Sequence, residues 1–379
     1  MRKTFKYRLY PAKTQDALLH HQLHEAGRLY NGALQERRDA WRMNRISLGY
    51  CDQAKYLKEI RDAGDLELAN FSCCQDVLRR VDKTFQAFFA RVKRGETPGY
   101  PRFKPRSRYD SLTFPSYGDG CKLMPNGKLR LQGIGTLKVK LHRPVEGDIK
   151  TVTVKREAGR WYVCFSVECE AEPLPVSSQA VGLDVGLESF AVLSDGTPVE
   201  NPRYFRKAEA QLRTAQRRVA RRQRGSRRRR KAVRWLQQTH AHIRHQRQNF
   251  HHQVSAQLVS RYGLLAIEDL NIKGLARGML AKSVADAGWA SFIAYLTYKA
   301  ESAGRVVVKV DPRGTSQRCV CGAPVPKTLK DRWHYCEACG LSVSRDHASA
   351  LEILRLGLSL WALTQGKTSN VAQEAVCFS

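Results

Sequence analysis

Three carboxylates and four thiols are the residues of this chain whose types and settings can do chemistry. Asp184 lies in "AVGLDVGLESFAVLSDG" (residues 180–196), between two short apolar strands; Glu268 ends the apolar run of "GLLAIEDLN"; Asp346 opens the helical pattern "SRDHASALEILRLGLSL". Taken singly, each has an ordinary explanation. Asp184 can close a turn, Glu268 can end a strand beside Asp269, and Asp346 can cap its helix. Taken together, two strand ends and a helix start are where a ribonuclease-H-type layout gathers acids on one sheet edge. Hard divalent cations take carboxylate oxygens, and two of them can clamp the attacking and leaving oxygens of a phosphodiester. The three acids therefore predict a site for two Mg²⁺ ions.

The thiols are Cys319, Cys321, Cys336 and Cys339 in "TSQRCVCGAPVPKTLKDRWHYCEACG". Two close pairs joined by a short loop suit one tetrahedral Zn²⁺, and four Cys ligands leave no open position, so the ion is structural. The second pair is the usual C-x-x-C. The first is C-x-C, one residue short, so its turn must be remodelled or its grip on zinc weaker. The other seven cysteines (Cys51, Cys73, Cys74, Cys121, Cys164, Cys169, Cys377) are scattered and read as ordinary core or surface residues.

The remaining composition says what the acids act on. The chain has 379 residues, 65 Lys+Arg against 35 Asp+Glu and a net charge of +30. Such a balance points to a polyanion, nucleic acid first. No apolar run has signal-peptide or membrane-span length, which places the protein in the cytosol or on the nucleoid with no membrane partner. From Arg203 to Gln248 there are 17 Lys or Arg and one acid, Glu209. Leu212, Val219, Val233, Leu236 and Ile243 form a spaced apolar stripe there. The cations, Arg227 and Arg228 among them, fall on the other side as a rail for phosphates.

The elements that must position these groups follow from periodicity. Residues 3–9 alternate as a strand; Lys13 to about Arg94 is helical, with stripes at Leu18, Leu19, Leu23, Ala26, Tyr30 and at Val77, Leu78, Val81, Phe85, Phe88. Strand-like text returns between Gly95 and Glu172, suggesting a β-barrel-like module interrupted by helices. "GYPRFKPRSRYDSLTF" joins the two, either a base-stacking and phosphate-holding stretch or a solvated loop. After the linker "AEPLPVSSQ" come a strand meander from 180, a long basic helical region over about 204–260 broken near Gly225-Ser226, the strand ending at Glu268, a helix, the strand "RVVVKV" and a closing helix.

The set "GLDVG", "IEDLN", "TSQRC…CEACG" and "RDHASALEIL", with "YRLYPAKTQ", "FFARVKRG…GYPRFK" and "DAGWASFIAYLTYKAESAG", resembles the TnpB family of insertion-sequence RNA-guided DNA nucleases. The resemblance implies a multidomain α/β protein of bacterial or archaeal origin. A wedge-type β-barrel (1–11 and 96–172) would be interrupted by a helical recognition domain (12–95). A RuvC-like nuclease domain (180–312 and 346–379) would carry an inserted zinc ribbon (313–345). It makes Asp184, Glu268 and Asp346 the metal-binding acids, and a guide RNA from the transposon end and target double-stranded DNA the partners of a monomer. Base pairing then supplies sequence while protein reads a short flanking motif. Tyr50, Ser72 and Gln75 match the motif-reading region, and Arg345, beside Asp346, either contacts the scissile phosphate or simply faces solvent. The rivals are a strand-transferring transposase and a guided repressor that does not cut.

Overall fold

The computed structural model describes residues 1–328 and 330–365, so Cys377 and the 366–379 end of the expected nuclease domain lie outside the described residues. The chain forms two compact units, Met1–Glu170 and a second beginning at Ala171.

The first unit opens on β1 (Arg2–Tyr10), whose alternation buries Phe5, Tyr7 and Leu9. Four helices follow: α1 (Lys13–Asn44), α2 (Tyr50–Lys55), α3 (Leu57–Asp62) and α4 (Phe71–Lys93). Six strands complete it: β2 (Ser111–Phe114), β3 (Cys121–Leu123), β4 (Lys128–Leu131), β5 (Gly135–Lys140), β6 (Asp148–Glu157) and β7 (Arg160–Glu168). All strands pair antiparallel in the order β2-β6-β7-β1-β5-β4-β3. The expected closed barrel is not formed: the order is linear and the sheet has two edges. Those edges are β2 and β3, four and three residues long, too short to supply a closing ladder. The helices share the sheet's core instead. Leu19, Leu23, Tyr30 and Leu34 of α1 and Val77, Leu78 and Val81 of α4 join Tyr7, Phe114 and Phe165 in one buried cluster. Leu18, expected on that stripe, is exposed. Cys73, Cys74 and Cys121 are buried here, and burial pushes their thiols up, which makes them inert packing residues.

The second unit runs β8 (Ala180–Asp184), β9 (Ser189–Leu193), β10 (Pro198–Glu200), α5 (Tyr204–Ala220), α6 (Arg227–Arg261), β11 (Leu264–Glu268), α7 (Ile272–Leu275), α8 (Ala281–Ala287), α9 (Trp289–Ser302), β12 (Val306–Val310), β13 (Trp333–Tyr335), β14 (Ser342–Ser344) and α10 (Arg345–Thr364). Its main sheet has the order β10-β9-β8-β11-β12, with β8, β11 and β12 parallel and the meander β8-β9-β10 antiparallel. Parallel strands read as continuous apolar runs because both faces are covered. On one face Val181, Leu183, Leu265 and Ile267 pack with Phe292 and Leu296 of α9 and Leu258 of α6; on the other, Leu264 and Ala266 pack with Val310 and Ile353 of α10.

Helix α10 sits on its face without a spacer. A Cβ at Gly182 would lie 2.1 Å from the Ala350 carbonyl oxygen, and one at Gly357 would lie 2.4 Å from the Ala266 Cβ. Glycines at both positions let helix and strand backbones touch. The α5–α6 hairpin buries Leu212, Ala215, Ala232 and Ile243, while Val219, Val233 and Leu236 are only half-buried. No helix among the described residues is long and apolar enough to cross a membrane.

Gly182→Ala should cost about 1–3 kcal/mol, the usual penalty of overpacking, because only a backbone shift can admit the methyl. Gly32→Ala, in α1 with nothing within 4 Å, should instead be neutral or stabilising. Thermal unfolding of both variants against the parent checks the contrast; equal melting temperatures would refute it.

Candidate functional site

Strand alternation decides which way the acids face. Ala180, Gly182 and Asp184 share one side of β8, and Leu264, Ala266 and Glu268 share one side of β11. In both strands that is the side covered by α10, whose second residue is Asp346. Asp184 and Glu268 each stand one residue beyond the paired Leu183 and Ile267. Ser344 caps α10 by accepting the His347 N–H at 3.3 Å. His347 Nε2 reaches the Ser194 carbonyl at 3.1 Å, and Ser194 exchanges bonds with Gly182: its hydroxyl accepts the Gly182 N–H at 3.0 Å, and its own N–H donates to the Gly182 carbonyl at 2.9 Å. The helix start is thus tied to the strand that carries Asp184.

The three carboxylates feel one another. Burial, then the charge of Glu268, then that of Asp346 raise the Asp184 carboxyl to about 8, and Arg345 offsets part of this. Burial also raises Glu268, against the Thr315 hydroxyl, which donates to Glu268 Oε1 at 2.5 Å. Asp346 has the Arg345 Nε 3.9 Å away. Among the described residues the four cysteines are the one group of three or more ligating side chains whose donor atoms all lie within 4.8 Å. The acids are therefore close enough to repel but not clustered on one point. Three half-buried carboxylates whose charge the Arg345 guanidinium offsets only in part make a fitting donor set for divalent metal.

The cysteine group is compact. Cys319 and Cys339 sulfurs are 3.6 Å apart, as are those of Cys321 and Cys336. A tetrahedron with metal–sulfur bonds of about 2.3 Å has edges of about 3.8 Å, so the four thiolates fit one such ion. Each pair is closed by a glycine at positive φ. In the second, the Gly340 N–H donates to the Cys336 carbonyl at 2.8 Å; in the first, the Gly322 N–H donates to the Cys319 carbonyl at 2.8 Å, one residue sooner. The C-x-C turn is therefore tightened, and its sulfurs still reach the common centre.

Two supports carried no signal in the sequence pattern. Thr315 is buried beside Glu268, visible in the text only as the first letter of "TSQRC". Asp286 of α8 accepts the N–H groups of Phe205 and Arg206 at 2.8 and 3.2 Å, capping α5 from 80 residues away. The other expected contact residues are placed as follows. Arg227 and Arg228 are exposed in the first turn of α6 after the Ser226 cap, and Arg345 lies beside Asp346. Tyr50, Ser72 and Gln75 belong to the first unit, at the starts of α2 and α4. The Arg79 guanidinium lies 5.1 Å from the Tyr50 ring, and the Ser72 hydroxyl donates to Asp119.

Comparison with known proteins adds three kinds of likeness. Residues 152–279 match a family model described as a probable transposase of OrfB type, and residues 289–353 match a Cas12f1-like TNB domain. Residues 1–45 match a helix-turn-helix domain model, although here they form a strand and one continuous 32-residue helix. A "Putative RNA-guided DNA endonuclease" of Streptomyces pristinaespiralis is 34% identical over 377 residues, covering 97% of this chain and 92% of that one. The "Putative RNA-guided DNA endonuclease InsQ" of Escherichia coli (strain K12) is 28% identical, covering 95% and 93%. In fold, the chain is similar to the mini-RNA-guided endonuclease CRISPR-Cas_phi3, with a TM-score of 0.50 at 9% identity, covering 94% of this chain and 92% of that one.

The Asp184 shift sets a pH dependence. An unfolded Asp releases its proton near about 4, whereas folded Asp184 holds its proton to about 8. The folded state binds more protons in between, so this group's contribution to stability falls as pH rises from about 4 to 8 and is constant above. In chelator, the stability advantage of Asp184→Asn over the parent should grow across that window by denaturant titration. A pH-independent difference would contradict it.

Proposed function

The chain belongs to the TnpB family of RNA-guided DNA endonucleases, and from that premise we propose that it cuts DNA beside a short flanking motif, directed by RNA from its transposon end. The convergence of Asp184, Glu268 and Asp346 supports this reading more than any other observation. We infer that they hold two Mg²⁺ ions. Metal held there would supply Lewis-acid chemistry, activation of a water and stabilisation of the leaving oxygen. The protein's own contribution is position. Asp184, central to the repulsion, would be a ligand together with Glu268 and Asp346; Thr315 fixes one Glu268 oxygen and leaves the other for metal; Arg345, beside Asp346, would present its guanidinium to the scissile phosphate.

The remaining parts take roles by the same reading. The open sheet of the first unit is a wedge module, α1–α4 form its recognition insert, and Tyr50, Ser72 and Gln75 read the flanking motif. The second unit is a RuvC-like nuclease with the segment 313–345 as a ribbon held by one structural Zn²⁺ on Cys319, Cys321, Cys336 and Cys339. The exposed cations of α5 and α6, including Arg227 and Arg228, carry the phosphates of guide RNA and target DNA. The protein acts as a monomer in the cytoplasm, at the nucleoid. A strand-transferring transposase shares the acid chemistry, but the relatives that span nearly the whole chain are named endonucleases.

Expressed with its native flanking DNA, the protein should copurify with a discrete RNA and leave free ends, not strand-transfer products, on a matching target. Asp184→Ala should lose cleavage at least about a thousandfold while retaining that RNA, as expected when a metal-ion contribution of several kcal/mol disappears. Cutting by the variant at the parent's rate would refute the assignment. Metal analysis should give one zinc per chain, and Cys336→Ser should lower it; zinc unchanged in that variant would refute the ribbon ligands.

A further inference from the structure

Beside Asp346 lies a cleft that the acids do not use. It measures about 250 Å³ and is lined by Ser316, Gln317, Lys327, Thr328 and Arg345. Lys327 is held there by its backbone. The Gln317 amide donates to the Lys327 carbonyl at 2.8 Å, and Gln317 Oε1 accepts the Lys327 N–H at 2.8 Å, so one side chain fixes both main-chain groups. The Lys327 ammonium lies 2.5 Å from Nδ1 of the fully buried His334, which is a neutral partner when it accepts that bond. No carboxylate pairs with Lys327 among the described residues. The nearest acid on its loop, Asp331, is turned onto Thr328, whose N–H and hydroxyl donate to it at 2.7 and 2.9 Å. Lys327 and Arg345 line the same cleft, so two cations face one space.

We propose that Lys327 holds the substrate-strand phosphate next to the scissile one that Arg345 faces, across the cleft that the two cations share. The proposal rests on the nuclease reading and extends it to a residue outside the acid set. An ammonium offers three donors and His334 engages one, which leaves donors for phosphate oxygens. The segment Thr315–Ser316–Gln317 sets the geometry: its first residue fixes Glu268 and its third fixes Lys327. Three consecutive residues therefore fix the spacing between a metal-binding acid and a phosphate-binding cation. That spacing positions a backbone; it reads no base.

The test uses the RNA-loaded protein and targets carrying a single neutral methylphosphonate at successive linkages around the cut. The parent should lose about 10- to 100-fold in cleavage rate at one linkage adjacent to the scissile one, the range for a lost hydrogen bond to a charged group. Lys327→Ala should lose a similar factor on unmodified DNA and nothing further at that linkage, with zinc content and melting temperature unchanged. Lys327→Arg should restore the sensitivity, and Gln317→Ala, which releases Lys327, should weaken it. If Lys327→Ala cuts like the parent, or keeps the parent's full pattern of sensitivity, the Lys327 contact is refuted and the nuclease reading stands. If the parent retains RNA but cuts no guided target, both fall.

Discussion

Helix α10 touches β8 backbone to backbone, and the candidate site depends on that contact. An ordinary helix stands off a sheet by the depth of two layers of side chains, about 10 Å. Gly182 and Gly357 remove those layers at two points, and Ala266 keeps the second point small. The first turn of the helix is thereby lowered to the level of the strand ends, where a side chain as short as Asp346 can face Asp184 and Glu268. A larger residue at position 182 would lift the helix and separate the acids without altering any of them.

That arrangement gathers like charge in a half-buried place, which no folding force favours. The sheet tolerates it because it is packed on both sides. Phe190, Phe292, Leu296 and Trp289 fill one face, and Ile353, Val310 and Ala266 fill the other. The His347–Ser194–Gly182 chain of hydrogen bonds then prevents the helix start from sliding away from the repulsion. Rigid surroundings hold an unfavourable cluster in place, the usual division of labour between scaffold and strained side chains.

The sequence was most legible where one physical rule dominates. Apolar runs bounded by Asp184 and Glu268, and the helical spacing after Ser344, mark strand ends and a helix start, so the acids could be found from position alone. The break at Gly225-Ser226 and the strand at β12 were readable for the same reason. Closure of a sheet was not, because alternation specifies which face a residue takes and says nothing of whether the two edges meet. Thr315, Asp286 and the Gln317–Lys327 pair were equally hidden: each acts across a fold contact, and Thr, Asp and Gln in a loop look like any solvated residue. The C-x-C turn was visible as an irregularity, but only its backbone bonds reveal that the shorter turn still converges on the shared centre.

The acids come from distant parts of the chain: Glu268 follows Asp184 by 84 positions and Asp346 follows it by 162. Strand β8 can pair with β9 as soon as the ribosome releases it, yet its other neighbour, β11, is made only after the whole α5–α6 hairpin, and α10 is the final described element. Since a chain is threaded out from its N-terminus, the basic helices α5 and α6 emerge before all three carboxylates are present. A nascent or prematurely ended chain can therefore carry the whole run of cations but lack the third carboxylate. Positive charge precedes the assembled acids in the order of synthesis, and the connectivity of the sheet imposes that delay.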